Sequence, residues 1–276
     1  MLDWLRRRPL IPAEDALWIL DVYAWLLSEL GGLEGLRKTP LVLATPEFFQ
    51  VDAQGTHARA QQIFAQVRQH AGLEAWPMEL VPQAQAPSTR ELMPGYAFGT
   101  GASQAGAAGT FRFDPKAARA TITYAPAELE YPPGFVATMA HELAHYLLLG
   151  ATRTPPPGGD DAEEPATDVA VHFMGFGVFA ANSVVRLSKY QKDGMHGWSV
   201  GRVGYLGEEA HAFALAVFLH LRGLPYAHAR PHLGPNARAF VRRALRELER
   251  DYAPTLAALR QFTAAPAPEA SEPEPA

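Results

Sequence analysis

Three polar side chains stand where an apolar helix should have none. From Pro132 to Gly150 the chain reads PPGFVATMAHELAHYLLLG, which sets His141, Glu142 and His145 among Phe135, Val136, Met139, Ala140, Leu143, Tyr146, Leu147 and Leu148. The prolines suit a first helical turn, and Gly150 suits the position just past the last one. A helix this apolar belongs in a core. Burying two imidazoles and a carboxylate there is costly unless they are paired or bound to a metal. Residues four apart share a helix face, so His141 and His145 project side by side. Two imidazoles so placed suit one zinc ion at about 2.0–2.1 Å. Glu142 lies about 100° further round the axis. From there it reaches a water on the metal rather than the metal, as a general base must. The plainer alternative is a pair of core histidines hydrogen-bonded to backbone or carboxylates.

A zinc site with two histidines needs a third protein ligand. The chain has no cysteine, so that ligand is His, Asp or Glu. Glu164 follows His145 after 18 intervening residues, and Asp168 stands one helical turn later. Either carboxylate would complete the site. Asp160, Asp161 and Glu163 are acidic too, so a solvated acidic loop at a helix N-terminus accounts for the same residues.

The HELAH motif together with Glu164 and Asp168 resembles the gluzincin metallopeptidases, the thermolysin-like and related clans. The metzincin pattern would need Gly at position 148 and His at 151, where this chain has Leu148 and Ala151. The gluzincin resemblance implies an α+β, zincin-like fold, mostly helical, with a small sheet packed on the HExxH helix. It implies Glu164 as the third ligand. It gives Asp168 the task of accepting a hydrogen bond from a ligand histidine and fixing its tautomer. It also implies that the strand just before the motif helix, 121–124, forms one edge of an active cleft. Further on, Thr167-Asp168, Gly175-Phe176-Gly177 and Ala181-Asn182-Ser183 resemble an uncharacterised group of bacterial proteins with HELAH followed by TD, GFG and AN, over about residues 135–220. That likeness supports the metal site and implies no substrate. Gly175 and Gly177 read as close helix packing against the motif helix.

Around this centre the pattern predicts a helix over 13–30 ended by Gly31-Gly32, a strand at Pro40–Leu43, a helix over 56–71 stopped by Gly72, and a strand at 78–81. Residues 83–109 read as loop, including Gly99-Thr100-Gly101. Residues 110–113 and 121–124 read as a hairpin turning at Asp114-Pro115. A long helix is expected from near Pro165 to about Leu187, with more at 207–222 and 235–250 after an irregular 188–204. The aromatic residues Trp18, Tyr23 and Trp25 read as core. The expected organisation is a single domain over 1–263, with a helical or mixed portion (1–109), a metal-site portion (110–263), and a disordered Pro/Ala/Glu tail from 264 to 276.

Net charge is -5, and the only basic run near the start, Arg6-Arg7-Arg8, has too few charges to suggest a nucleic-acid partner, so none is expected. Glu14, Asp15 and Asp21 interrupt the apolar stretch after those arginines, which argues against a signal peptide. No apolar run is long enough for a transmembrane segment. Lack of cysteine fits a cytoplasmic location. The preferred expectation is a zinc metallopeptidase with one Zn2+ per chain, Glu142 as base and a peptide or protein substrate. The alternatives are a zinc-stabilised binding or regulatory protein without turnover, and a non-peptide amidase. For an oxyanion donor, His172, His196, Tyr205 and His211 are candidates that no spacing rule separates.

Overall fold

The computed structural model describes residues 8–83, 108–190 and 206–263, with side chains of 184–190 excepted. Ten helices are described: α1 (Ala13–Glu29), α2 (Gly32–Lys38), α3 (Thr56–Ala71), α4 (Pro132–Ala151), α5 (Glu163–Phe173), α6 (Gly177–Tyr190), α7 (Glu208–Arg222), α8 (Tyr226–Ala229), α9 (Pro235–Asp251) and α10 (Ala253–Leu259). Three strands, β1 (Met78–Pro82), β2 (Gly109–Asp114) and β3 (Arg119–Tyr124), form one sheet in the order β1-β3-β2. The fold is α+β and mostly helical with a small sheet.

β2 and β3 are the expected hairpin, paired antiparallel from Gly109↔Tyr124 to Asp114↔Arg119. Asp114 Oδ1 accepts the backbone N–H of Lys116 at 2.8 Å, a side chain folding its own turn. β1 adds parallel to β3, so β3 is the central strand. This corrects the expectation that 121–124 would edge the cleft: β2 is the edge strand, and it is β2 that packs most closely on α4.

One continuous apolar core takes in Ile19, Tyr23 and Leu26 of α1, Phe135 and Leu143 of α4, and Phe213 and Phe218 of α7. The N-terminal and metal-site portions therefore share it. α7 is apolar almost all round and almost wholly buried, while α9 buries only one stripe over it, including Val241, Ala244 and Leu248. Among the described residues no single helix is long and apolar enough to cross a membrane. α1 and α2 together have the length, but they bend by 94°, and α1 buries most of its apolar residues in the core, Leu17 excepted.

Two expectations fail for one reason. Pro40–Leu43 forms no strand with the described residues, and the helix expected from 165 to 187 breaks into α5 and α6. Both departures meet at Gly175. Its backbone has φ 90°, the left-handed region. The N–H of Gly175 bonds His172 O and that of Phe176 bonds Val171 O, a Schellman closure of α5. The Gly175 carbonyl then accepts Val42 N–H at 3.0 Å, so the 40–43 segment spends its donor on this turn. A Cβ at Gly175 would overlap the Pro40 carbonyl oxygen. Gly177 is not packed on the motif helix either: a Cβ there would overlap His172 Nδ1 and crowd Leu215 of α7.

Gly175→Ala combines a left-handed alanine with a backbone clash and is expected to destabilise the protein by about 3 kcal/mol or more, read by urea unfolding. Asp15 gives a pH-dependent test. It is buried in the first turn of α1, and neither carboxylate oxygen has a hydrogen-bond partner among the described residues. Burial, with the charge of Glu14, pushes its pKa up to about 6. The unfolded carboxyl ionises near 4. The folded state therefore binds the proton more tightly, and stability falls as pH rises from about 4 to about 6. Asp15→Asn should remove that part of the slope in unfolding midpoints measured across the window.

Candidate metal centre

α4 delivers His141 and His145 to one face, and the first turn of α5 delivers Glu164. The loop that carries the chain from one helix to the other is tied to α1. Trp18 Nε1–H donates to Pro157 O at 2.9 Å, and Trp25 Nε1–H donates to Thr154 Oγ1 at 3.0 Å. Glu29 accepts both Arg153 N–H and the Thr154 hydroxyl. A 3-10 turn at Gly159–Ala162 follows and leads directly into α5. Glu163 and Glu164 in that first helical turn suit the positive end of the helix.

The three side chains converge through three atoms. His141 Nε2 and His145 Nε2 are 3.2 Å apart, and Glu164 Oε2 is 3.4 Å from the first and 3.6 Å from the second. Zinc with ligands at about 2.0–2.1 Å in tetrahedral geometry needs ligand atoms about 3.3–3.4 Å apart. The edge of 3.4 Å meets that requirement, and the edges of 3.2 and 3.6 Å lie on either side of it. Glu164 Oε2 is buried and receives no hydrogen bond among the described residues. A carboxylate oxygen stripped of water in this way calls for a cation or a strong donor. Among the described residues, His141, His145 and Glu164 form a group that could hold a metal ion.

The second nitrogen of each imidazole is also engaged. His141 Nδ1 is 3.0 Å from Asp168 Oδ1. Because a carboxylate only accepts, Nδ1 carries a proton, and Nε2 is the nitrogen that would give up its own proton and offer a lone pair to a metal. His145 Nδ1 lies 3.4 Å from Thr167 Oγ1, whose hydroxyl donates to Glu163 O and so has a lone pair to offer. The Phe111 ring of β2 stacks on His145 at 6.1 Å between centroids. Electrostatics follows the geometry. Burial works against a charged His141, but Asp168 and Glu164 win and hold its pKa well above the ordinary value. Burial likewise opposes ionising Glu164, yet His141 and His145 bring it down to about 2.

Glu142 stands apart from the triangle. It is 7% exposed, and burial raises its pKa, with His141 and His145 pulling the other way. β2 passes directly over it: a Cβ on Gly109 would sit 3.2 Å from Glu142 Oε1 and 2.7 Å from Thr138 Cγ2. Only glycine lets the edge strand come this close.

The structure thus brings His141, His145, Glu164 and Asp168 together and places Glu142 beside them. Of the oxyanion candidates, His172 and His211 lie behind Asp168, where their ring nitrogens face each other at 2.9 Å. Both are buried, and His211 faces Asp168 as well as His172. His196 and Tyr205 lie outside the described residues, as do Gly99–Gly101 and the tail from 264. Thr167, Gly109, Phe111 and the Leu206 amide, which donates to Asp168 Oδ2 at 2.9 Å, escaped the sequence reading. Thr167 alone had a signal, as the neighbour of Asp168. Comparison with protein-family models, curated proteins and solved structures finds no match for this chain.

Proposed function

We propose that the chain is a zinc-dependent hydrolase of zincin-like architecture that cleaves peptide bonds, with one Zn2+ per chain held by His141, His145 and Glu164. The triangle of Nε2, Nε2 and Oε2 carries this reading, through its zinc-sized edges and its one buried oxygen without a hydrogen bond. Two imidazoles and a carboxylate form a donor set that suits zinc. Zinc bound there supplies Lewis acidity and a water that ionises near neutral pH.

The chain's own residues do the rest. Asp168 takes the proton side of His141 and so aims its lone pair into the triangle. Thr167 serves His145 in the same sense over a longer contact. Glu142 is a stronger base than an exposed glutamate because burial disfavours its charge. It accepts the proton of the attacking water and returns it to the leaving amine. Beside it runs β2, which among the described residues has no strand partner on its outer side. An extended peptide pairing with that edge would run past α4, and this favours a peptide over a small amide. A zinc-held binding protein would use the triangle but would have no use for a buried Glu142.

Protein purified without chelator is expected to contain about one zinc per chain by elemental analysis, and His145→Ala should lose both metal and thermal stability. Glu164→Gln should abolish most binding, while Asp168→Asn should weaken it by about 10–100-fold. The reverse order would exchange the roles of the two carboxylates, and no zinc at all would refute the metal centre. Glu142→Gln should keep zinc and fold while losing hydrolysis by several orders of magnitude. Proteome-digest screens of the two proteins at equal zinc content would show it, and identical digests would assign the chain to the binding proteins.

A further inference from the structure

Behind the metal centre lies a second pair of histidines with no part in the proposed chemistry. His172 of α5 is 0% exposed and His211 of α7 is 5% exposed. His172 Nε2 is 2.9 Å from His211 Nδ1, and His211 Nε2 is 3.7 Å from Asp168 Oδ2. Asp168 Oδ1 in turn meets His141 Nδ1. Four side chains on three helices therefore form one buried line that ends at a proposed ligand.

The proton positions along the line follow from what each end tolerates. Both rings are buried, and burial favours their neutral forms. Each neutral ring has one donor and one acceptor. If His211 carried its proton on Nδ1, its Nε2 lone pair would face the Asp168 carboxylate. His172 Nδ1–H would then be a buried donor without a partner. With the protons on the other nitrogens, His172 Nε2–H donates to His211 Nδ1, and His211 Nε2–H points at Asp168 Oδ2. The atom left over is His172 Nδ1, which has no partner among the described residues and so is an idle acceptor. Gly177 leaves space for that ring where any Cβ would overlap it.

Two imidazoles in an apolar layer cost more than two leucines unless they deliver something. Their single polar output is the dipole that reaches Asp168. We propose that His211, backed by His172, is a positioning residue for the metal centre. Its Nε2–H dipole faces Asp168 Oδ2 at 3.7 Å, longer than a hydrogen bond, and adds to the Leu206 amide that donates to the same oxygen; together they hold the carboxylate with Oδ1 on His141 Nδ1. The inference rests on the metal-centre reading and extends it by one layer.

The test needs zinc alone as ligand and no substrate. Zinc affinity, measured by competition with a chromophoric chelator, should fall about 3–10-fold in His211→Leu, less than for direct partners of a ligand. His211→Gln keeps an N–H for Asp168 and should recover most of the loss. In an Asp168→Asn background, His211→Leu should cost no further affinity, because the line is already cut. Wild-type affinity in His211→Leu, failure of glutamine to rescue, or full additivity with Asp168→Asn would each overturn the proposal. A measurement on the unsubstituted protein guards against variants that do not fold. Long-range 1H–15N spectra should show His172 and His211 neutral with the proton on Nε2, and a proton on Nδ1 of either ring would overturn the assignment. If the wild-type protein binds no zinc, the metal-centre reading falls first and this inference with it; normal zinc binding with unaffected His211 variants removes only the inference.

Discussion

The hydrogen bond from His141 Nδ1 to Asp168 Oδ1 joins α4 to α5, and the geometry of the centre depends on it. It fixes which nitrogen of His141 faces Asp168 and which faces His145 and Glu164. The cost of burying these groups is met only because they meet each other. Asp168 alone would be a desolvated charge, and His141 alone a desolvated dipole. Together with Glu164 and His145 they form a polar island in a core of Phe, Leu and Ala side chains. Such an island persists when each member has a partner, and Glu164 Oε2 is the member still waiting for one among the described residues.

Much of this centre was legible in the sequence because helices convert spacing into direction. His141 and His145 share a face by the i, i+4 rule, and Glu164 and Asp168 share one by the same rule. The step from two faces to one triangle was not legible. It depends on where α5 starts and stops, and those limits are set by contacts distant in sequence. The start is held by tryptophans of α1, and the stop is a left-handed glycine whose carbonyl is claimed by Val42. A periodic apolar pattern running through Gly175 gives no sign that Pro40 lies across it.

The sheet was readable in its hairpin and not in its order. Alternation along 110–113 and 121–124 foretold two paired strands. Which of them lies outermost is decided by β1, whose parallel pairing with β3 leaves no local trace. Gly109 shows the limit well: one more glycine in a glycine-rich stretch, it turns out to be a point where an added Cβ would crowd Glu142 and Thr138. His172 and His211 looked like any pair of helical histidines, because their meeting requires α5 and α7 to cross at one place.

The loop between α4 and α5 also determines how the three side chains that could hold an ion are brought together. Two donors ride on one rigid helix and are permanently in register, while the third arrives on a chain segment fastened at Trp18, Trp25 and Glu29. The effective concentration of Glu164 at the two imidazoles is therefore written into hydrogen bonds on a helix more than a hundred residues upstream. An ion captured by all three arms would clamp α1, α4 and α5 into one cooperative unit. Loosening α1 would then be felt as a faster off-rate of such an ion, although none of the three side chains that would hold it comes from α1.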